Sequence, residues 1–137
     1  MQTPDLILLY VKDVEKSKGF YRDLLERAPK AAFPTYVAFG LDGGFTLGLW
    51  STKRVAEEWA KQTGSPVATG NQPPAERGNR FELAFQVEND EAVEAMYANW
   101  RQRGIQIAQE PTTAVFGRTF VGLDPDGHLI RVCTGDR

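Results

Sequence analysis

Gly40-Leu41-Asp42-Gly43-Gly44, followed by the apolar run 45–50, and Gly122-Leu123-Asp124-Pro125-Asp126-Gly127, followed by the run 128–133, state one pattern twice. Each reads as a strand, a tight Asp/Gly turn and a second strand, which is the signature of a hairpin. The two words stand about eighty residues apart in a chain of 137 residues. A repeat of that kind points to two copies of one supersecondary unit. If the copies are equivalent, each position in one has a counterpart in the other, and together they line one cavity.

The flanks extend the repeat. Leu6–Val11 is a short apolar run and reads as a buried strand. Asp13 is placed to cap the helix Val14–Leu25, where Ser17, Phe20, Tyr21, Leu24 and Leu25 recur at helical spacing and Ala28-Pro29 marks the stop. A short strand is expected within 30–33, then the first hairpin from strands 36–41 and 45–50. In the second half a strand at 81–87 is followed by a helix capped by Asn89 or Asp90 and running to Arg103, with Gly104 suited to its C′ position. A strand at 105–109 and a hairpin of 116–123 and 128–133 complete it. Between the halves, Gly64, Pro66, Gly70, Pro73, Pro74 and Gly78 make 51–80 a linker loop, with room for a short helix at 54–62. The fold class expected is α+β: one domain, 1–137, made of two βαβββ modules at 5–50 and 81–134 that build a curved mixed sheet.

Several function classes drop out. The net charge is −2 and no basic stripe is present, which argues against nucleic acid. No apolar run approaches the ~20 residues that span a bilayer. The start, Met-Gln-Thr-Pro-Asp, lacks the features of a signal peptide. The single cysteine, Cys133, forms no internal disulfide and suits a reducing compartment, so a cytoplasmic protein is expected.

Strand alternation assigns faces. Ile7, Leu9, Val11, Leu47, Leu49, Leu83, Phe85, Val87, Thr119, Val121, Leu123, Ile130 and Val132 are expected under the helices. The opposite face is expected to carry Leu6, Leu8 and Tyr10; Tyr36, Ala38 and Gly40; Thr46, Gly48 and Trp50; Glu82, Ala84 and Gln86; Arg118, Phe120 and Gly122; Leu129, Arg131 and Cys133. Aromatic walls, small residues and a few polar groups are what a small-molecule pocket needs. A half-solvated face, or one covered by a second subunit, is the alternative.

The words Tyr10-Val11-Lys12-Asp13, Phe20-Tyr21-Arg22-Asp23-Leu24-Leu25, Phe116-Gly117-Arg118-Thr119 and Leu123-Asp124-Pro125-Asp126-Gly127-His128 resemble the vicinal-oxygen-chelate superfamily of glyoxalase I, bleomycin-resistance proteins and extradiol dioxygenases. The resemblance covers nearly the whole chain and implies a glyoxalase-like sheet completed in a dimer. Enzymes of that superfamily hold a divalent metal with His and Glu side chains. Carried over, those positions are Leu6, Gly48, Glu82 and Arg131, of which Glu82 alone is a ligand type. A catalytic metal takes about three protein ligands, so no metal, no cofactor and no catalytic residue is expected. His128 belongs to the turn motif in the family. Tyr36-Val37-Ala38-Phe39, Leu49-Trp50-Ser51, Phe116-Gly117-Arg118-Thr119-Phe120 and Ile130-Arg131-Val132-Cys133 resemble the metal-free phenazine-antibiotic resistance branch, whose members are dimers that bind a planar ligand on an aromatic-lined sheet.

The candidate ligand contacts are Trp50, Tyr36, Phe116, Arg118, Tyr10, Glu82 and Arg131. Trp50 offers a flat face for stacking, or ends a strand in the core. Tyr36 and Tyr10 offer stacking or a hydroxyl, or simply pack. Phe116 closes a pocket, or is core. Arg118 and Arg131 can each fork onto a carboxylate, and Arg131 can instead pair with Glu82. The function expected is sequestration of a planar aromatic antibiotic by a metal-free homodimer. The alternative is a metal-dependent glyoxalase or dioxygenase-type enzyme of the same fold.

Overall fold

The structure is a computed structural model and describes residues 3–54, 57, 82–115 and 117–134. Expectations for Phe81, Phe116 and most of the 51–80 linker, its short helix included, lie outside the described residues. The chain divides into two units, Met1–Gly78 and Asn79–Arg137.

The first unit runs β1 (Leu6–Val11), α1 (Val14–Leu25), β2 (Ala31–Ala32), β3 (Tyr36–Gly40) and β4 (Thr46–Ser51). Its sheet has the order β1-β4-β3-β2, with β1 parallel to β4 and the other neighbours antiparallel. Asp13 begins the helix with an extended backbone, and its carboxylate accepts the Lys16 N–H at 3.0 Å, satisfying a donor that has no turn before it. The buried stripe of α1 is Val14, Ser17 and Tyr21. Leu9, Val11, Val37, Phe39, Leu47 and Leu49 form the buried side of the sheet. The helix stops before Ala28-Pro29. Glu26 takes the left-handed conformation at φ 52°, and the N–H groups of Glu26 and Arg27 both turn back to the Arg22 carbonyl.

The second unit repeats the order with β5 (Glu82–Gln86), α2 (Asp90–Gln102), β6 (Ile107–Ala114), β7 (Gly117–Leu123) and β8 (Leu129–Cys133), paired as β5-β8-β7-β6. Again the first and last strands are parallel. Asn89 caps α2, accepting the Ala92 N–H at 2.8 Å. Gly104 follows the helix at φ 79°. Trp100 reaches from α2 to the sheet and meets Phe120 and Phe85 edge-on at 5.1 and 6.3 Å. β6 continues well past Gln109, where the sequence reading stops it. Its ladder slips between Ile107 and Gln109 and again between Gln109 and Thr112. Pro111 falls in the second slip on an edge strand, where no ladder N–H is required of it.

One expected face is reversed. Thr119 pairs with Cys133, Val121 with Arg131 and Leu123 with Leu129. Residues directly opposite each other share a face, so Thr119, Val121 and Leu123 lie with Arg131 on the face turned away from α2. Arg118, Phe120 and Gly122 lie on the helix side. The Phe120 contact with Trp100 is on that side, and a Cβ on Gly122 would stand only 2.8 Å from the Trp100 ring. A one-residue offset in register moves every side chain of a strand to the other face.

Candidate functional site

The first unit's sheet face turned away from α1 is built in three rows by the ladder. Tyr10, Trp50 and Tyr36 stand opposite one another on β1, β4 and β3. The next row is Leu8, Gly48 and Ala38, and the third is Leu6, Thr46 and Gly40. All three aromatic residues are half-buried, and Tyr10 meets Trp50 edge-on with ring centres 6.4 Å apart. Gly48 makes the middle row thin. A Cβ there would stand 2.7 Å from Leu8 Cδ2 and 2.9 Å from Tyr36 Oη, so the absence of a side chain is what lets Tyr36 lean across the strand. The result is a floor with a strongly aromatic end.

The other end carries a group the sequence reading missed. Lys30, just before β2, sends its ammonium to the Thr46 hydroxyl at 2.7 Å. Its stem crosses Gly40, with Cδ 3.5 Å from where a Cβ would be. The one signal available in sequence is Gly40 itself, which leaves a gap beside a strand too short to show alternation.

In the second unit the corresponding face is dominated by one ion pair. Arg131 donates from Nε to Glu82 Oε1 and from Nη2 to Glu82 Oε2, both at 2.9 Å. Its remaining nitrogen, Nη1, reaches Thr119 Oγ1 at 3.0 Å and Gln109 Oε1 at 3.5 Å. Thr119 in turn donates to the Val132 carbonyl at 2.8 Å. This is the two-pronged geometry that suits guanidinium to carboxylate. The hydrogen bonds from Arg131 hold the Glu82 carboxyl below its usual range, against an opposing effect of burial. The same bonds raise Arg131 further. Arg131 is therefore already engaged as an anion receptor, by Glu82.

Arg118 does not share this face. It lies on the helix side, bonds Glu94 on α2 at 2.8 Å and reaches Thr113 Oγ1 at 3.4 Å. Its expected place beside Arg131 is corrected by the β7 register. His128 and Asp124 organise the β7–β8 turn. Asp124 is buried and its carboxylate accepts the backbone N–H groups of Asp126 and His128 at 2.9 and 2.8 Å, while His128 Nδ1 lies 2.7 Å from its second oxygen.

A family model for the glyoxalase-like domain matches residues 5–135. The chain belongs to the glyoxalase-like family. It is 37% identical to the phenazine antibiotic resistance protein EhpR of Enterobacter agglomerans, over 98% of this chain and 93% of that one. It is 35% identical to protein ATC0852 from Agrobacterium tumefaciens, whose solution structure it matches over the whole of both chains with a TM-score of 0.74. A glyoxalase-related enzyme from Fulvimarina pelagi shares the fold, with a TM-score of 0.73 at 21% identity over 97% of this chain and 88% of that one.

The four positions at which the sequence resemblance implies metal ligands do not form a metal-binding set in this glyoxalase-like chain. Leu6 and Gly48 bring no donor atom, Arg131 brings a cation, and both Glu82 oxygens are taken by Arg131. Among the described residues no group of three or more His, Cys, Asp or Glu side chains is placed to hold a metal ion. The ion pair satisfies the charge of the one carboxylate that remains.

Proposed function

We propose that this protein binds and sequesters a planar aromatic antibiotic of the phenazine type and so confers resistance, as a metal-free cytoplasmic homodimer. No bond is made or broken; protection is stoichiometric. The observation that carries the reading is the row Tyr10–Trp50–Tyr36 on the open face of the first sheet. Stacking between aromatic rings contributes about 0.5–1.5 kcal/mol beyond buried area, and a planar heterocycle uses it fully. Two further facts support the reading: the Glu82–Arg131 pair stands where metal ligands are expected, and the resistance protein of Enterobacter agglomerans is a near relative. In this reading Tyr10, Tyr36 and Trp50 contact the ligand, and Glu82 and Arg131 form a fixed polar wall.

Equilibrium dialysis with phenazine-1-carboxylate, in chelator and then with added divalent metal, tests the proposal. Saturable binding of one ligand per subunit in both buffers is expected. Trp50→Ala is expected to weaken it by about tenfold, from the lost stack and its buried area. Binding that requires metal, or consumption of the compound, would overturn the reading in favour of an enzyme.

A further inference from the structure

We propose that Lys30 is the anion anchor of the first unit's open face, so that the ligand class is a planar aromatic acid and not its neutral counterpart. The inference rests on the sequestering function proposed above and names its ligand more closely. Two arginines are the obvious carboxylate receptors by sequence, and the structure occupies both. Arg118 is bonded to Glu94 on the helix side of β7, and Arg131 is forked onto Glu82. Lys30 differs from both. Its ammonium is bonded to a neutral hydroxyl, Thr46 Oγ1, and to no carboxylate among the described residues. An ammonium has three donors, so two remain for an incoming anion.

Position supports the assignment. Thr46 and Trp50 lie on the same face of β4, and four residues of strand separate them by about 13 Å. A fused-ring acid lying along β4 has its rings against Trp50 and Tyr36 and its carboxylate toward Lys30. Tyr36 leans over Gly48, which carries the aromatic surface from Trp50 toward Thr46, and Gly40 lets the lysine stem lie down beside it. The Thr46 bond holds the ammonium at the end of the floor, which lessens the rotamer freedom lost on binding.

The test compares phenazine-1-carboxylate with phenazine-1-carboxamide by titration calorimetry on the full-length protein. The wild type is expected to prefer the acid by about tenfold to a hundredfold, the range for a hydrogen bond to a charged group. That preference is expected to shrink as salt is raised. Lys30→Met is expected to bring the ratio close to one while leaving carboxamide affinity in place, and Lys30→Arg to restore it. A wild type that binds both compounds equally overturns the anchor and leaves the sequestering function standing. Loss of both affinities together in Lys30→Met also overturns it, since that marks a structural role in pinning β2 to β4. A wild type that binds neither compound overturns the anchor and the sequestering function alike. The salt dependence in the wild type needs no variant, so the proposal stays exposed if a substitution fails to fold.

Discussion

Removing one member of the Glu82–Arg131 pair tests how much this ion pair stabilises the second unit. The pair makes two charge-assisted bonds of 2.9 Å, with 21% of the Arg131 side chain and 32% of the Glu82 side chain exposed. Exposed pairs are worth about 0.2–1 kcal/mol, and breaking a fully buried pair costs about 3–5 kcal/mol. Partial exposure with ideal two-pronged geometry places the coupling between them, at about 1–2 kcal/mol. A double-mutant cycle of Glu82→Gln and Arg131→Met, followed by urea unfolding, measures it. Its dependence on pH has a definite sign. The folded Glu82 carboxyl lies below its ordinary value of 4.5, chiefly through the Arg131 hydrogen bonds. Its stabilising contribution is complete above the unfolded value and is lost as pH falls through the lower folded one. The coupling is therefore full at neutral pH and fades on acidification below 4.5. A coupling below about 0.3 kcal/mol at neutral pH, or one that survives protonation of the carboxyl undiminished, would refute the ionic account.

Three other outcomes follow from local geometry. Gly122→Ala is expected to cost about 1–3 kcal/mol in urea unfolding, because its Cβ would press on a buried Trp100 held by Phe85 and Phe120. Gly48→Ala meets equally short distances, but from the half-buried side chains of Leu8 and Tyr36; it is expected to cost less than Gly122→Ala and to weaken phenazine binding in dialysis by shifting Tyr36, and equal losses of stability would count against this distinction. Glu26→Gly is expected to raise the unfolding free energy by about 0.5–1 kcal/mol, since the left-handed backbone at φ 52° suits glycine.

Much of the fold was legible because short-range rules agree with the tertiary structure. Asp13 and Asn89 are both caps, Gly104 does follow its helix at positive φ, and β1 occupies the apolar run Leu6–Val11. The first unit's face assignment also holds, since Tyr10, Trp50 and Tyr36 meet in register. The Glu82–Arg131 pair was legible as chemistry: a lone carboxylate beside a fixed cation has little other use. What was not legible depends on events a window of sequence does not contain. The extension of β6 rests on two ladder slips that accommodate Pro111. The anchor at Lys30 rests on a two-residue strand, too short to carry a periodic signal.

The reversed face of β7 has a sharper cause, and it lies in the repeat that reveals the fold. Aligning Gly40-Leu41-Asp42 with Gly122-Leu123-Asp124 equates Gly40 with Gly122. The ladders do not. In the first hairpin the last pair before the turn is Gly40 with Thr46; in the second it is Leu123 with Leu129. Each pair encloses a five-residue connection, so the structural counterpart of Gly40 is Leu123. The shared word is therefore out of step with the shared geometry by one residue. With a side-chain period of two, that single step moves Arg118 from the open face to α2. Composition gives no warning, because β7 has Phe120 in one phase and Val121 and Leu123 in the other. The two glycines consequently do different work. Gly122 admits the Trp100 ring beneath the second sheet, and Gly40 admits the Lys30 stem across the open face of the first. A repeated glycine marks a place where something must pass close to the backbone; only the register says on which side.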